Sequence, residues 1–411
     1  MTPAKLPEPR GWTPAPPAAS EDRLESLAIA LDPERMSAVL APRVRARFGG
    51  DAVIKELAIE VYRRHANRCV IRYGLDCRGG SGPRSWQVIG KVLADARGAK
   101  VYETMRRLWK LGFARKARDG IEMPEPIGYE PALAMLLQEQ VGGVAVRSLI
   151  KQSADPEPCR AAARALVKLQ RSGLAGGPTR RVADHLQRCH PRYPFLALAC
   201  PEVAHQVRSI VHRAVAIEAA LGDIEPTTLH GDFHFGQVHV EGDRVWLIDF
   251  DAVGRGDPAS DVGNLSVFLK DKARRRPAAA ALLEAFLDEY FARMDPRIAA
   301  RIPLYEGLTH LRRACKLLRV QPPGWRARIR DMLERGVCEI DAMERSLAEA
   351  TSTPGPTLSL FRSTRRETAP SQATQGFGQI QVGWQVRIKG VRAPDGLLQA
   401  VQIEDRPPTA R

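Results

Sequence analysis

Two short runs hold the residues best suited to chemistry. Leu229-His230-Gly231-Asp232-Phe233-His234-Phe235-Gly236-Gln237 sets an aspartate in a tight His-Gly-Asp turn, with an amide side chain five residues on. Val245-Trp246-Leu247-Ile248-Asp249-Phe250-Asp251 ends an apolar run on a further carboxylate. Gln237 to Val240 and Val245 to Ile248 have the character of strands, with Glu241-Gly242-Asp243 as the turn between them. A hairpin of that length is expected to bring Gln237 beside Asp249, with Asp232 just ahead of them. One carboxylate to orient a hydroxyl, with an amide and a carboxylate to hold Mg²⁺, are the parts that phosphoryl transfer requires.

Asp232 would accept or align the proton of an attacking hydroxyl. Gln237 and Asp249 would be the Mg²⁺ ligands, since that ion takes few protein oxygens and leaves positions for water and phosphate. His230 and His234 are expected to brace the loop rather than touch substrate. Asp257, followed by Pro258, has the pattern of a helix N-cap, and Asp261 one turn in is expected to tie back to the catalytic loop. Asp251 is assigned to turn geometry.

A triphosphate also needs a cation, and the cation needs an acid. Ser85 to Leu93 is an apolar strand with Lys91 inside it, and Ala99 to Leu108 is helical, with Val101, Met105 and Leu108 on one face. Glu103 is the expected partner of Lys91. Ile59 to Tyr73 suggests two strands joined at His65-Ala66-Asn67; it contains no Gly-x-Gly, so turn amides or Arg68 are the candidates for meeting phosphate.

These residues resemble the aminoglycoside phosphotransferase and choline kinase-like family. Its signature H-G-D-x-H-x-x-N, a short hairpin, I-D-[FW] and G-D-P-x-x-D is matched by His230, Gly231, Asp232 and His234, then Asp249, then Gly256 to Asp261. Gln237 departs from the family's usual Asn, as in maltokinase-like sugar kinases, and keeps the amide oxygen on a longer stem. The Lys91 strand is similar to the V-A-I-K strand of kinases. The resemblance implies an α+β, two-lobed protein-kinase-like fold, with a small β-rich N-lobe and a large, mainly helical C-lobe. It implies ATP and Mg²⁺ as cofactors and a small-molecule hydroxyl (sugar, amino sugar or amino alcohol) as acceptor. It also makes the segment after the Leu133 to Leu137 strand a hinge, where backbone groups of Glu139, Gln140 and Val141 would meet the adenine edge. The alternative reading is a pseudokinase-like regulatory or scaffold protein that binds nucleotide without turnover. It is suggested by Gln237, by the missing glycine loop and by the appended C-terminal hairpin. A protein kinase is disfavoured, because the loop is H-G-D-x-H rather than H-R-D and no A-P-E follows.

With 411 residues, 44% of them hydrophobic, the chain is long enough for two lobes with real cores. Residues 1–19, rich in proline, are expected to be disordered. The N-terminal lobe with its leading helices is assigned to 20–143 and the C-lobe to 144–350. A linker at 351–375 and a small β module at 376–411 follow. In that module Gly383 to Val391 and Leu397 to Glu404 are strands about a Pro394-Asp395-Gly396 turn. Too small to bury much alone, this hairpin is expected to pack on the kinase body or on another chain. No apolar run approaches the length of a membrane span and no signal peptide is apparent, so a cytoplasmic protein is expected. Seven scattered cysteines without a C-x-x-C pair indicate reduced thiols and no zinc site. The net charge of +15 disfavours a polycationic substrate. Nucleic acid is an unlikely partner, for no recognition motif appears; Arg312, Lys316 and Arg319 have the spacing of a solvated face on an amphipathic helix.

Overall fold

The computed structural model describes residues 24, 26–65, 67–79, 82–95, 97–174, 176–352, 385–392 and 398–406. The expected N-terminal tail, most of the linker and the Pro394-Asp395-Gly396 turn lie outside these residues. The chain divides into two compact units.

The first unit runs to Gln152 and adds residues 172–174 and 236–253. Two helices lead, α1 (Leu27–Ala30) and α2 (Pro33–Phe48). The start of α2 is fixed by Asp32, whose carboxylate accepts from the Arg35 amide at 2.9 Å, with Pro33 preorganised in the first turn. Next come β1 (Val53–His65), β2 (Arg68–Gly79), β3 (Gly82–Leu93), α3 (Arg97–Leu108), β4 (Ile121–Glu122), β5 (Pro126–Glu130), β6 (Met135–Glu139), β7 (Val144–Ala145) and α4 (Val146–Gln152). The large sheet has the order β1-β2-β3-β6-β5, which puts β3 at its centre. Along β2, Cys69, Ile71, Tyr73, Leu75 and Cys77 are buried in strict alternation. They share one core with Met36, Leu40 and Val44, which recur every four residues along α2.

The segment 236–253 contributes β10 (Val238–Glu241) and β11 (Arg244–Leu247), an antiparallel hairpin in the order β4-β11-β10-β7. Sequence reasoning assigned this hairpin to the large lobe; it clusters instead with the N-terminal unit, because β11 pairs with β4 and β10 with β7. Gly143, at φ +74°, permits the approach to β10: a Cβ there would lie 2.7 Å from the Val240 carbonyl oxygen.

The second unit is mainly helical. It holds α5 (Glu157–Gln170), α6 (Val182–Gln187), α7 (Tyr193–Ala199), α8 (Ala204–Leu221), α9 (Ala259–Ala273), α10 (Ala279–Phe291), α11 (Ile302–Val320) and α12 (Trp325–Ser352). A small sheet of β8 (Thr179–Arg180), β12 (Gly254–Gly256) and β9 (Thr227–Leu229) accompanies them. The α9 and α11 helices pack closely at Gly263, where a Cβ would lie 2.8 Å from that of Tyr305. Buried Leu308, Leu311, Cys315 and Leu318 form the inner face of α11, as its periodicity predicts. Near the C-terminus, β13 (Gln385–Arg392) and β14 (Leu398–Arg406) pair antiparallel. No helix of the described residues is long and apolar enough to cross a membrane.

Candidate active site

In the N-terminal unit the chemistry gathers around Lys91. The residue sits on the central strand β3, opposite Val70 and Leu136, and is only 6% exposed. Its ammonium nitrogen lies 2.6 Å from Asp249 Oδ1 and 3.0 Å from Asp251 Oδ1. Burial alone would lower the Lys91 pKa; the Asp249 and Asp251 carboxylates outweigh it and hold the value raised. Asp251 also accepts from Arg68 at 3.2 Å, and Gln237 Nε2 donates to Asp249 Oδ2 at 3.2 Å. The hairpin explains this assembly: Val238 pairs with Leu247 and the Ile248 amide donates to the Gln237 carbonyl at 2.9 Å, which brings Asp249, the next residue, within reach of the Gln237 side chain. Asp249 follows β11 in the left-handed conformation (φ 66°, ψ 65°), which Asp tolerates better than most residues.

Two expectations require correction. Glu103 does not meet Lys91: it lies outward on α3, with a side chain 61% exposed, and its ion-pair partner is Arg106. The helix buries Gly98, Val101, Met105 and Leu108. Position 103 is two residues from both Val101 and Met105, about 200° round the helix from each. The acid partners of Lys91 are Asp249 and Asp251, so Asp251 is more than a turn residue.

The segment Glu139 to Val141 follows the end of β6. The Glu139 amide donates to the Glu125 carbonyl at 2.9 Å and the Gln140 amide to the Gln87 carbonyl at 3.0 Å. The Glu139 carboxylate is clasped by Arg47 at 2.8 Å and by Arg115. Both amides are therefore engaged within the unit.

The second constellation belongs to the C-terminal unit and centres on His230-Gly231-Asp232. Gly231 takes φ +78°, the left-handed turn for which glycine is suited. Asp261 Oδ2 accepts from the His230 amide and Oδ1 from the Gly231 amide, both at 2.8 Å. Burial pushes the Asp261 pKa up, opposed by His230, by those two amides and by Arg188. Arg188 donates to the Gly231 carbonyl at 2.9 Å, and Asn264 Nδ2 to the Phe233 carbonyl at 2.8 Å. The His230 ring is buried, edge-on to Phe233 at 5.9 Å, while Phe233 and Phe235 both pack on Phe286. His234 is half-buried in the same turn. Asp232 stays accessible, its side chain 50% exposed, with Arg312 at 3.8 Å.

Downstream, Asp257 Oδ1 accepts from the Ala259 amide at 2.9 Å, as a residue before a helix does. Its Oδ2 takes a buried ion pair from Arg301 at 2.6 Å. Gln170, at the end of α5, donates to the Pro258 carbonyl at 3.1 Å and accepts from Tyr290 at 2.6 Å.

Sequence reasoning missed Arg188 and Asn264 and took Arg312 for a solvated face. Asn264 is one turn beyond Asp261 on α9, a spacing that puts both on the side facing the loop; no comparable signal marks Arg188. Arg312 donates to Asn264 Oδ1 at 2.5 Å, so it belongs to the loop's support.

Residues 78–300 match the phosphotransferase enzyme family APH. Among solved structures, a choline/ethanolamine kinase family protein from Mesorhizobium loti is 18% identical and has a TM-score of 0.50, covering 76% of this chain and 98% of its own. Aminoglycoside phosphotransferase APH(4)-Ia, in a ternary complex with ADP and hygromycin B, is 16% identical with a TM-score of 0.48, covering 75% and 98%. No curated protein sequence matches the chain. The fold is the protein-kinase-like α+β fold, with a β-rich N-terminal part and a mainly helical C-terminal part. The family match spans more than half of the chain, which therefore belongs to the phosphotransferase enzyme family.

Proposed function

We propose that the protein is an ATP-dependent phosphotransferase that moves the γ-phosphoryl group to a hydroxyl of a small molecule. One observation carries the reading: a lysine buried in a central strand is held by two carboxylates at the end of a hairpin that also presents an amide. A desolvated ammonium that exchanges a carboxylate for phosphate oxygens is what a triphosphate site uses. In this reading Lys91 binds phosphate, with Arg68 as a second cation at the β1–β2 turn. The Glu139 to Val141 segment lines the adenine edge through carbonyls and the Val141 backbone, since the Glu139 and Gln140 amides are engaged.

The donor set suits Mg²⁺. The Asp249 and Asp251 side chains are 27% and 19% exposed, so both carboxylates remain within reach of solvent. Hard oxygen donors in small number, with phosphate completing the sphere, are what this ion prefers. Asp249 and Gln237 would hold it, and when bound it would neutralise charge developing on the phosphates. Asp232 accepts or aligns the proton of the acceptor hydroxyl. His230, His234, Asp257 and Asp261 keep its turn in place.

The experiment is ATP consumption by purified protein, with Mg²⁺, against a panel of sugars, amino sugars, amino alcohols and sugar acids. Acceptor-dependent ADP release is expected for one class. Tight nucleotide binding without consumption across the panel would favour a pseudokinase and refute catalysis.

A further inference from the structure

A small cleft within the C-terminal unit has the His230-Gly231-Asp232 turn in its wall. Its walls include His185, Arg188, Ser260, Thr309 and Arg312, together with Gly231 itself. Three arginines and three carboxylates surround it. Arg188 from the end of α6, Arg312 from α11 and Arg180 from β8 all act on His185. The facing carboxylates are Asp261 from α9 and Asp232 from the turn, with Asp184 on α6 close to Arg180. Asp261 is already occupied by two backbone amides, and Asp232 stands 3.8 Å from Arg312, beyond hydrogen-bond length.

The arginines are under-used. Among the described residues, Arg188 and Arg312 each put one nitrogen on the turn or its support, whereas a guanidinium offers five donors. Burial, and then repulsion from Arg180 and Arg312, push the Arg188 pKa down to about 10. Burial, followed by Arg188, Arg312 and Arg180, drives His185 down to about 3, so its imidazole is neutral. Two further polar atoms, His185 Nε2 and Ser260 Oγ, are buried without a hydrogen-bond partner among the described residues. Both residues line this cleft.

We propose that this cleft binds an oxyanion, and hence that the acceptor is a hydroxylated acid carrying a carboxylate or phosphate group. The geometry rests on Arg188 and Arg312 as charged forks, with Ser260 and His185 as further hydrogen-bonding groups. Planar guanidinium forks match both oxyanions. An amine in the same place would meet like charge with little water to screen it. The identification as an acceptor rests on the phosphotransferase reading; the anion site does not.

The test begins without nucleotide. Calorimetry on the full chain compares glucose, glucosamine, glucuronate and glucose 6-phosphate, with inorganic phosphate as the minimal probe. At least one anionic sugar should bind about 10-fold or more tighter than glucose, the span of one charge-assisted hydrogen bond. Glucosamine should bind no better than glucose. Glucuronate against glucose 6-phosphate separates carboxylate from phosphate. Arg312→Gln should lose that preference by about 10-fold, and Arg312→Lys, which keeps the charge but not the fork, should lose less. The melting temperature of each variant without ligand identifies misfolding; Arg188→Lys then serves as the second variant. Equal binding of glucose and both acids, tighter binding of glucosamine, or a folded Arg312→Gln with unchanged preference would overturn the proposal. ATP turnover on an amine with no anion binding would sink this inference and leave the phosphotransferase reading standing. Arginine-dependent anion binding with no ATP turnover on any acceptor would uphold the anion site and sink the phosphotransferase reading.

Discussion

The two constellations use their charged groups differently. Around Lys91, Lys91 and Arg68 meet Asp249 and Asp251, and every cation has a carboxylate within 3.2 Å. Around the His230-Gly231-Asp232 turn, the Asp261 carboxylate is occupied by two backbone amides and Asp232 lies 3.8 Å from Arg312, which leaves guanidinium donors of Arg188 and Arg312 for a ligand. A balanced cluster is stable by itself and can exchange one partner for another. Guanidinium donors left over in a cleft can be taken up by an entering anion. The first arrangement suits a metal–triphosphate that brings both signs of charge, and the second suits an acidic acceptor.

The largest effect is expected at the pivot of the balanced cluster. Asp249→Ala should abolish Mg²⁺-dependent nucleotide binding and, with it, turnover; calorimetry with Mg·ATP and with ATP plus chelator is the check. Unchanged Mg²⁺ dependence would remove Asp249 as a metal ligand. Gln237→Asn should be better tolerated than Gln237→Ala, because it restores an amide oxygen on a shorter stem.

Lys91→Met should weaken ATP binding by about 10- to 100-fold without unfolding the chain, since methionine keeps the stem and removes the charge. Combining it with Asp251→Asn tests the balance directly. The pair should couple by about 1–3 kcal/mol, as residues in one ion-pair network do. Additive effects would mean that the cluster does not behave as one unit.

The C-terminal unit should show its buried, neutral histidines as acid lability. Burial, Arg335 and Arg313 lower His310 to about 4 against the opposing influence of Asp271, and His185 is lowered to about 3. Both folded values lie below the ordinary histidine value of about 6.5, so the unfolded chain takes up protons first. The stability these neutral rings contribute is present above pH 6.5 and is lost as pH falls through about 4 and about 3. For His310 the full loss is on the order of 3 kcal/mol. Urea unfolding at pH 7 and pH 5 should show the decline, and His310→Gln should flatten it. A decline of the same slope in that variant would count against the assignment.

The smallest effect is expected at Glu103. Exposed and, among the described residues, paired with Arg106 alone, it should contribute little, so Glu103→Gln should leave ATP affinity within about twofold of the parent. A loss comparable to that of Lys91→Met would restore the Lys91–Glu103 pairing and break the balanced cluster as described.

Much of this was legible in the chain because local rules govern it. Alternation along β2, the four-residue recurrence on α2 and the Asp32-Pro33 start each follow from short-range geometry. The pairing of Gln237 with Asp249 follows from hairpin register. What escaped depends on contacts remote in sequence. Lys91 reaches Asp249 across 158 positions and Arg188 reaches Gly231 across 43, and no spacing rule spans such gaps. Glu103 was misplaced for a local reason: residue type was followed where the helical angle pointed outward.

The most direct measurement is a pair of readings on Asp232→Asn. The reference is ³¹P NMR of the parent protein with Mg·ATP and its best acceptor, where ADP and a new phosphomonoester should accumulate together. The variant should bind Mg·ATP within a few-fold of the parent, because Asp232 acts on the acceptor rather than on the nucleotide. Its transfer rate should fall by about 10²- to 10⁴-fold, the range for loss of a general base. Near-parental phosphomonoester formation by the variant would contradict the account at its centre.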